Sequence, residues 1–298
     1  MNKPSANVLS LGRKNSITGW IFLLPASLMI FWMYFYPMVQ GFLLSLQRGK
    51  TPATMQFVGF ANYARIFQDG NFLLTLKNTF FYLIVQVPIM LLLAILLASM
   101  LNNKTLKWKG IFRTAIFLPC ATSLVAASII FRALFATDGF INSALVNLGI
   151  LSEGYNWLSN PGSGRFVIIL ALLWRWTGYN MIFFLASLQS IDPQIYEAAR
   201  IDGANAFQQF WRITVPLLKP MILLTAIMST NGTLQLFDES FNLTRGGPGK
   251  ATMTMSHYIF ETAFQKSPNL PYAATISYII LILVAVIAYI QIKAGDKR

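Results

Sequence analysis

The sequence is poor in the groups that solution chemistry needs. Its one cysteine, Cys120, excludes an intramolecular disulfide, leaves the redox compartment unreadable and, inside an apolar run, reads as a small packing residue. Its one histidine, His257, argues against HExxH zinc chemistry and against a His-paired nucleophile within the membrane. Acidic residues number 10, and all charged residues make up 11% of the chain, against about a quarter in a soluble domain. One stretch, Gly246-Gly247-Pro248-Gly249-Lys250-Ala251, has the outline of a phosphate loop. It fails twice, because Thr244 stands where the first glycine belongs and Ala251 where a Mg2+-binding Ser or Thr is required. No catalytic residue, metal ligand or chain-bound cofactor is therefore expected, and any ATP hydrolysis has to be done by a different polypeptide.

What the chain has is apolar surface: 55% of its 298 residues are hydrophobic, and its mean hydropathy is +0.56. Six stretches are long enough to cross a hydrocarbon core of about 30 Å, which takes about 20 helical residues. They run from Thr18 to Leu46, Leu73 to Leu101, Thr114 to Phe135, Phe166 to Ser190, Leu217 to Leu236 and Tyr272 to Ile290. Being continuous rather than alternating, they predict helices, so the fold class is an all-α membrane protein with six transmembrane helices. Residues 1–17 read as a cytoplasmic tail and 18–298 as a single transmembrane domain. Arg13 and Lys14 before an apolar run mimic a signal peptide, but the run is too long and no small-x-small site follows, so an uncleaved first span is expected.

Basic residues give the orientation. With the N-terminus inside, the cytoplasmic segments hold 12 Lys or Arg in 63 residues and the outer segments 7 in 91. The positive-inside rule then places both termini in the cytoplasm. The net charge of +13 sits largely beside spans, as at Lys104, Lys107, Lys109 and Arg113. Membrane lipid headgroups account for it, and no nucleic acid is expected as a partner.

Between the fourth and fifth stretches lies a polar cytoplasmic loop, 191–216. Asp192 is placed to cap a helix whose first residue is Pro193, and Glu197 lies near the positive end of that helix. Asp202-Gly203 supplies a stop, since glycine tolerates the left-handed turn that ends a helix. A second short helix, Ala204 to Ile213, is expected before Pro216. With Ala198 and Ala199 adding little bulk, the pair predicts a compact knob that another surface could approach closely.

The spacing Glu197-Ala198-Ala199, Gly203, Ile213, Pro216 resembles the EAA loop of the membrane subunits of ABC importers. The longer string Tyr196 to Pro216, with Ile201-Asp202-Gly203-Ala204 inside it, is similar to the version in maltose-type carbohydrate permeases, which ends Leu-Pro where this chain has Val215-Pro216. Asn78-Thr79, Phe117-Leu118-Pro119, Leu243 to Pro248, Tyr258, Phe260, Ala263-Phe264 and Ala273-Ala274 fit the same pattern, whereas Pro271 replaces a usual glycine. The resemblance implies a transport subunit of a bacterial inner membrane and not an enzyme. It implies a second permease subunit, two ABC ATPase subunits that use ATP and Mg2+, and an extracytoplasmic solute-binding protein. In the family the knob docks in a cleft of the ATPase and transmits its motion, which would make Glu197, Ala198, Ala199, Asp202, Gly203, Ile213 and Pro216 the coupling residues. The implied cargo is a carbohydrate, an oligosaccharide or a similar polyol.

Candidate pathway residues come from polarity at membrane depth. Arg175 lies nine residues beyond Phe166, about 14 Å down a helix, with Trp174, Trp176, Tyr179 and Asn180 around it. Aromatic faces with hydrogen-bonding groups suit a sugar. Equally, Arg175 could pair with an acid or with helix-end carbonyls and serve assembly. On the fifth stretch Thr225, Ser229, Asn231 and Gln235 form a polar stripe that either lines a pathway or glues helices. Asp238 and Glu239 at its outer end read as solute contacts or as hydrated loop acids. Importers of another solute, such as glycerol phosphate or an anionic sugar, remain alternatives, as does an ion-coupled secondary transporter, although that class usually carries carboxylates or broken helices at mid-membrane.

Overall fold

The computed structural model describes residues 6–50, 54–103, 105–265 and 267–295, with the backbone alone before Thr18. Lys104 and the start of the tail lie outside the described residues. Helix α1 (Ala6–Ile30) passes through one wide turn, Phe31–Phe35, into α2 (Tyr36–Ser45). The segment read as a tail is thus helical from Ala6 onward and continuous with the first span. A two-stranded ribbon, β1 (Gln47–Arg48) and β2 (Gln56–Phe57), pairs antiparallel. It is followed by α3 (Ala61–Ile66), α4 (Gly70–Asn102), α5 (Lys109–Ala121), α6 (Leu124–Leu134), α7 (Phe140–Asn147) and α8 (Pro161–Gln189). Next come α9 (Pro193–Ile201) and α10 (Ala206–Gln209), a second wide turn at Phe210–Thr214, and α11 (Val215–Leu217). The chain ends with α12 (Lys219–Leu234), α13 (Asp238–Thr244), α14 (Met255–Phe264) and α15 (Leu270–Gly295).

Among the described residues four helices are long and apolar enough to span a membrane, and the number is six if each of two bent pairs counts as one span. The third predicted span is a correction to the continuous helix expected from Thr114 to Phe135: α5 and α6 meet at 100°. Thr122 and Ser123 are extended there, and the Ser123 hydroxyl accepts from the Ala126 N–H to start α6 afresh. The fifth is bent by 70° at Leu218, so the membrane helix proper starts at Lys219, and the elbow's second helix runs Ala206–Leu217, longer than the predicted Ala204 to Ile213. Both wide turns end one residue short of an X-Pro step, with Tyr36 N–H bonded to Phe31 O before Pro37 and Val215 N–H to Phe210 O before Pro216. Proline has no N–H to continue the ladder and its ring crowds the carbonyl four residues back, so the bonding widens to i+5.

Helices α4 and α8 form the central pair, with Met90, Ala94 and Ala98 against Met181, Phe184, Leu185 and Leu188. In a second cluster Tyr82 of α4 and Val167 and Ile168 of α8 join Phe131 of α6 and Phe135 just beyond its end. Helix α15 closes a third cluster through Tyr272, Ile276 and Ile280 with Ile66, Phe72 and Met255. Lipid tails are as apolar as these side chains, so tight packing and polar contacts hold the bundle together. Small residues allow it: a Cβ added at Gly178 would lie 1.9 Å from the Ile116 carbonyl oxygen, so α5 can sit on α8 only because residue 178 is glycine.

Polar clasps join α4 and α8 to the segment after α13. Asn78 donates to the Lys250 and Met253 carbonyls at 3.0 and 2.9 Å, while Arg165 Nε donates to Ala251 O at 2.9 Å and its Nη2 to Asn78 Oδ1 at 2.9 Å. The loop with the phosphate-loop outline therefore turns carbonyls, not amides, to its partners, and Lys250 is paired with Glu261 at 2.8 Å. Asp69 caps α4 through Asn71 and Phe72 N–H and accepts the Tyr258 and Tyr272 hydroxyls at 2.7 Å each. Burial would raise its pKa, but these four donors hold it below the usual carboxylate value.

Candidate solute cavity and coupling elbow

A cavity of about 300 Å³ opens between α4, α8, α12 and the chain leading into α13. Of the predicted pathway residues it gathers Trp176, Tyr179 and Asn180 from α8, Ser229 from α12 and Gln235 just beyond its end. Their positions follow helical periodicity, with residues three and four apart sharing a face. Asn180 Nδ2 donates to the Trp176 carbonyl at 3.0 Å and its Oδ1 accepts from Ser229 at 3.5 Å, which ties the two walls together. Tyr179 is wedged edge-on between Trp176 and Phe183, at centroid distances of 5.8 and 5.1 Å.

Four predicted residues stay outside. Thr225 is buried and turns its hydroxyl back on the Met221 and Ile222 carbonyls of its own helix. Asn231 is exposed and accepts from Gln235. Trp174 faces outward, 39% exposed, edge-on to Phe131. Arg175 meets helix-end carbonyls: its guanidinium donates from Nη1 to Thr122 O at 2.8 Å and from Nη2 to Cys120 O at 3.4 Å. Those carbonyls are left open where α5 stops, and a cation at a helix C-terminus also meets the negative end of its dipole.

Sequence reasoning missed two contributions. Gln86 and Met90 of α4 line the cavity, Gln86 Oε1 accepting from Thr233 at 3.2 Å. Gln86 sits mid-span in an apolar run, which was the available signal. Glu239, read as a solute contact or a hydrated acid, is buried, lines the cavity beside Asp238, and also borders a small gap shared with Arg175. Burial raises its pKa to about 7; its own backbone N–H opposes the rise, Asp238 adds to it and Arg175 opposes it.

On the opposite side the elbow forms largely as its sequence dictates. Asp192 accepts the Gln194 N–H at 2.9 Å with Pro193 at the first helical position. Helix α9 ends as Gly203 takes φ 81°, with Gly203 N–H bonded to Arg200 O and Ala204 N–H to Ala199 O. Asn205 and Gln208 then form a reciprocal capping box for α10. Glu197, Ala198, Asp202 and Gly203 are exposed and Ala199 half-buried. Ile213 is half-buried and Pro216 exposed at the root of the second helix. Apolar side chains share this surface, Ile201 at 87% and Phe207 at 72% exposure, a pattern that marks a contact surface. The elbow is slung between α8 and α12, the two helices whose side chains face each other across the cavity.

A helical membrane bundle with a solute-sized cavity and an exposed elbow defines a permease-like subunit. The sequence profile of the binding-protein-dependent transport system inner membrane components matches residues 58–298, and the chain belongs to that family. It is a multi-pass membrane protein and a transport component, not an enzyme. The chain is 47% identical to the lactose transport system permease protein LacF of Rhizobium radiobacter, over 97% of each chain. It is 33% identical to the arabinooligosaccharides transport system permease protein AraP of Halalkalibacterium halodurans, over 99% of this chain and 95% of that one. Its fold matches a chain in the crystal structure of a bacterial ABC transporter involved in the import of the acidic polysaccharide alginate, with a TM-score of 0.85 and 24% identity, over 97% of this chain and 98% of that one.

Proposed function

We propose that this chain is a permease subunit of an ATP-driven importer, passing a carbohydrate, delivered by a solute-binding protein, across a bacterial inner membrane with both termini in the cytoplasm. The observation that carries the reading is the slung elbow. Its first helix hangs from α8 and its second leads through the bend at Leu218 into α12, so a pull on the knob moves both cavity walls together. ATP-driven closure of two partner ATPases would supply that pull through Glu197, Ala198, Ala199, Asp202 and Gly203, with Ile213 and Pro216 passing it to α12. A second permease subunit would complete the pathway. The lactose and arabinooligosaccharide relatives support a carbohydrate cargo, and Trp176, Tyr179, Asn180, Ser229 and Gln235 give it apolar faces and hydrogen-bonding edges.

The test is ATP-dependent uptake by the complete complex in proteoliposomes. Glu197→Lys and Gly203→Pro should each lower uptake about tenfold, the factor given by 1.4 kcal/mol of lost coupling, and weaken co-purification of the ATPase. Full uptake and normal co-purification in both variants, or uptake driven by an ion gradient without ATP, would contradict the reading.

A further inference from the structure

The cavity wall is one-sided in charge. Its lining carries two carboxyl side chains, Asp238 and Glu239, and includes no Lys, Arg or His. Arg175 lines the small gap shared with Glu239 and not the cavity itself. Its guanidinium is committed to the Thr122 and Cys120 carbonyls and lies 5.4 Å from the Trp176 ring centroid. Arg175 and Glu239 form no ion pair; among the described residues the salt bridge within 4 Å is Lys250–Glu261, on the outer loops. Glu239 is 6% exposed, so water compensates little at its carboxyl group.

From this geometry we infer that Glu239 is a specificity-determining residue of the cavity, which admits neutral sugars and rejects those bearing a carboxylate, sulfate or phosphate. The inference rests on the carbohydrate reading above and deepens it. A neutral sugar presents hydroxyls, each able to donate to a carboxyl oxygen, and its apolar C–H face fits Trp176 and Tyr179. An anionic sugar would shed its hydration into a wall with no counter-cation. It would then lie beside a carboxyl group that has to stay protonated for the two to coexist. Because burial already raises the Glu239 pKa, the group can serve a neutral ligand as donor as well as acceptor. The alginate importer shares the fold while its cargo is acidic, so the discrimination has to reside in wall residues and not in the architecture.

The test is equilibrium binding by saturation-transfer NMR on the complete transporter complex in nanodiscs, which needs no delivery protein. The probes are two matched pairs, lactose with lactobionate and maltose with maltobionate. The unmodified complex should bind at least one neutral member about tenfold more tightly than its acid, a preference of 1.4 kcal/mol. Glu239→Gln, which keeps the shape and removes the ionisable group, should narrow the preference, and Glu239→Arg should reverse it. Equal binding of sugar and acid by the unmodified complex, or an unaltered preference in Glu239→Gln, overturns the inference while leaving sugar transport standing. Failure of all four probes to bind, together with no ATP-dependent sugar uptake, overturns the carbohydrate reading and this inference with it.

Discussion

Replacing Arg175 by methionine tests whether the buried arginine holds the bundle together or touches the solute. Methionine keeps most of the apolar stem, so the change is confined to the guanidinium. Its loss leaves Thr122 O, now bonded at 2.8 Å, without a donor, at about 1–3 kcal/mol for a buried acceptor. Cys120 O, bonded at the longer 3.4 Å, adds less, and losing a cation at the end of α5 adds about 0.5–1 kcal/mol. Against this, Arg175 Nε is buried without a partner, and removing a buried charge recovers its desolvation cost. The balance is a destabilisation of about 2–3 kcal/mol, which at about 2 °C per kcal/mol for a chain of this size is about 4–6 °C. Thermal midpoints of the purified complex in one detergent would measure it. Arg175→Lys, with its single ammonium, should fall between the other two. Sugar binding by the surviving folded fraction should be unchanged, because Arg175 is not among the residues that line the cavity. A Met variant as stable as the unmodified chain, or one that folds normally but no longer binds sugar, would refute the capping argument.

Gly178→Ala should lower the same midpoint, and Gly178→Val should prevent assembly, because the new Cβ has to displace the Ile116 carbonyl by more than 1 Å; the expected cost for alanine is about 1–3 kcal/mol. Asn142→Leu should release the segment around Tyr155, since one side chain donates to the Ala136, Thr137 and Tyr155 carbonyls and accepts from Tyr155 N–H and Trp157 Nε1; proteolysis between α7 and α8 should then quicken. His257, buried against Ser240 with its pKa lowered to about 4, binds its proton more readily in the unfolded chain. Its contribution is therefore complete above pH 6.5 and lost as pH falls from 6.5 towards 4, by up to about 3 kcal/mol. Thermal midpoints across that window should fall more steeply in the unmodified chain than in His257→Gln.

The elbow was legible because its determinants are local. Asp192, Pro193 and Gly203 act on backbone within four residues of themselves, and each does in the structure what its chemistry requires. The cavity was half legible for the opposite reason. Periodicity puts Trp176, Tyr179 and Asn180 near one another on α8, but nothing local says that Gln86, some 90 positions earlier, faces the same space, or that Asn231 turns away while Gln235 turns in. Thr225 shows the limit of a polar stripe: its hydroxyl was satisfied by its own helix and asked nothing of a neighbour.

The break between α5 and α6 and the charge at Arg175 are one feature seen from two sides. A run of apolar residues from Thr114 to Phe135 reads as one helix by hydropathy alone, yet it contains Thr122-Ser123 with a free N–H three residues on, a helix start placed inside a span. Starting a helix there obliges the preceding one to stop, and a helix that stops in an apolar setting leaves carbonyls that lipid cannot satisfy. Helix α5, at 13 residues and about 20 Å, is too short to carry those carbonyls to water across a core of about 30 Å. A donor has to come from a neighbouring helix, and it must reach far, stay charged and serve two acceptors, which selects arginine. The same necessity keeps Arg175 out of an ion pair with Glu239: its N–H groups go to the break, so its charge acts on Glu239 only through space and the cavity lining keeps its two carboxyl groups.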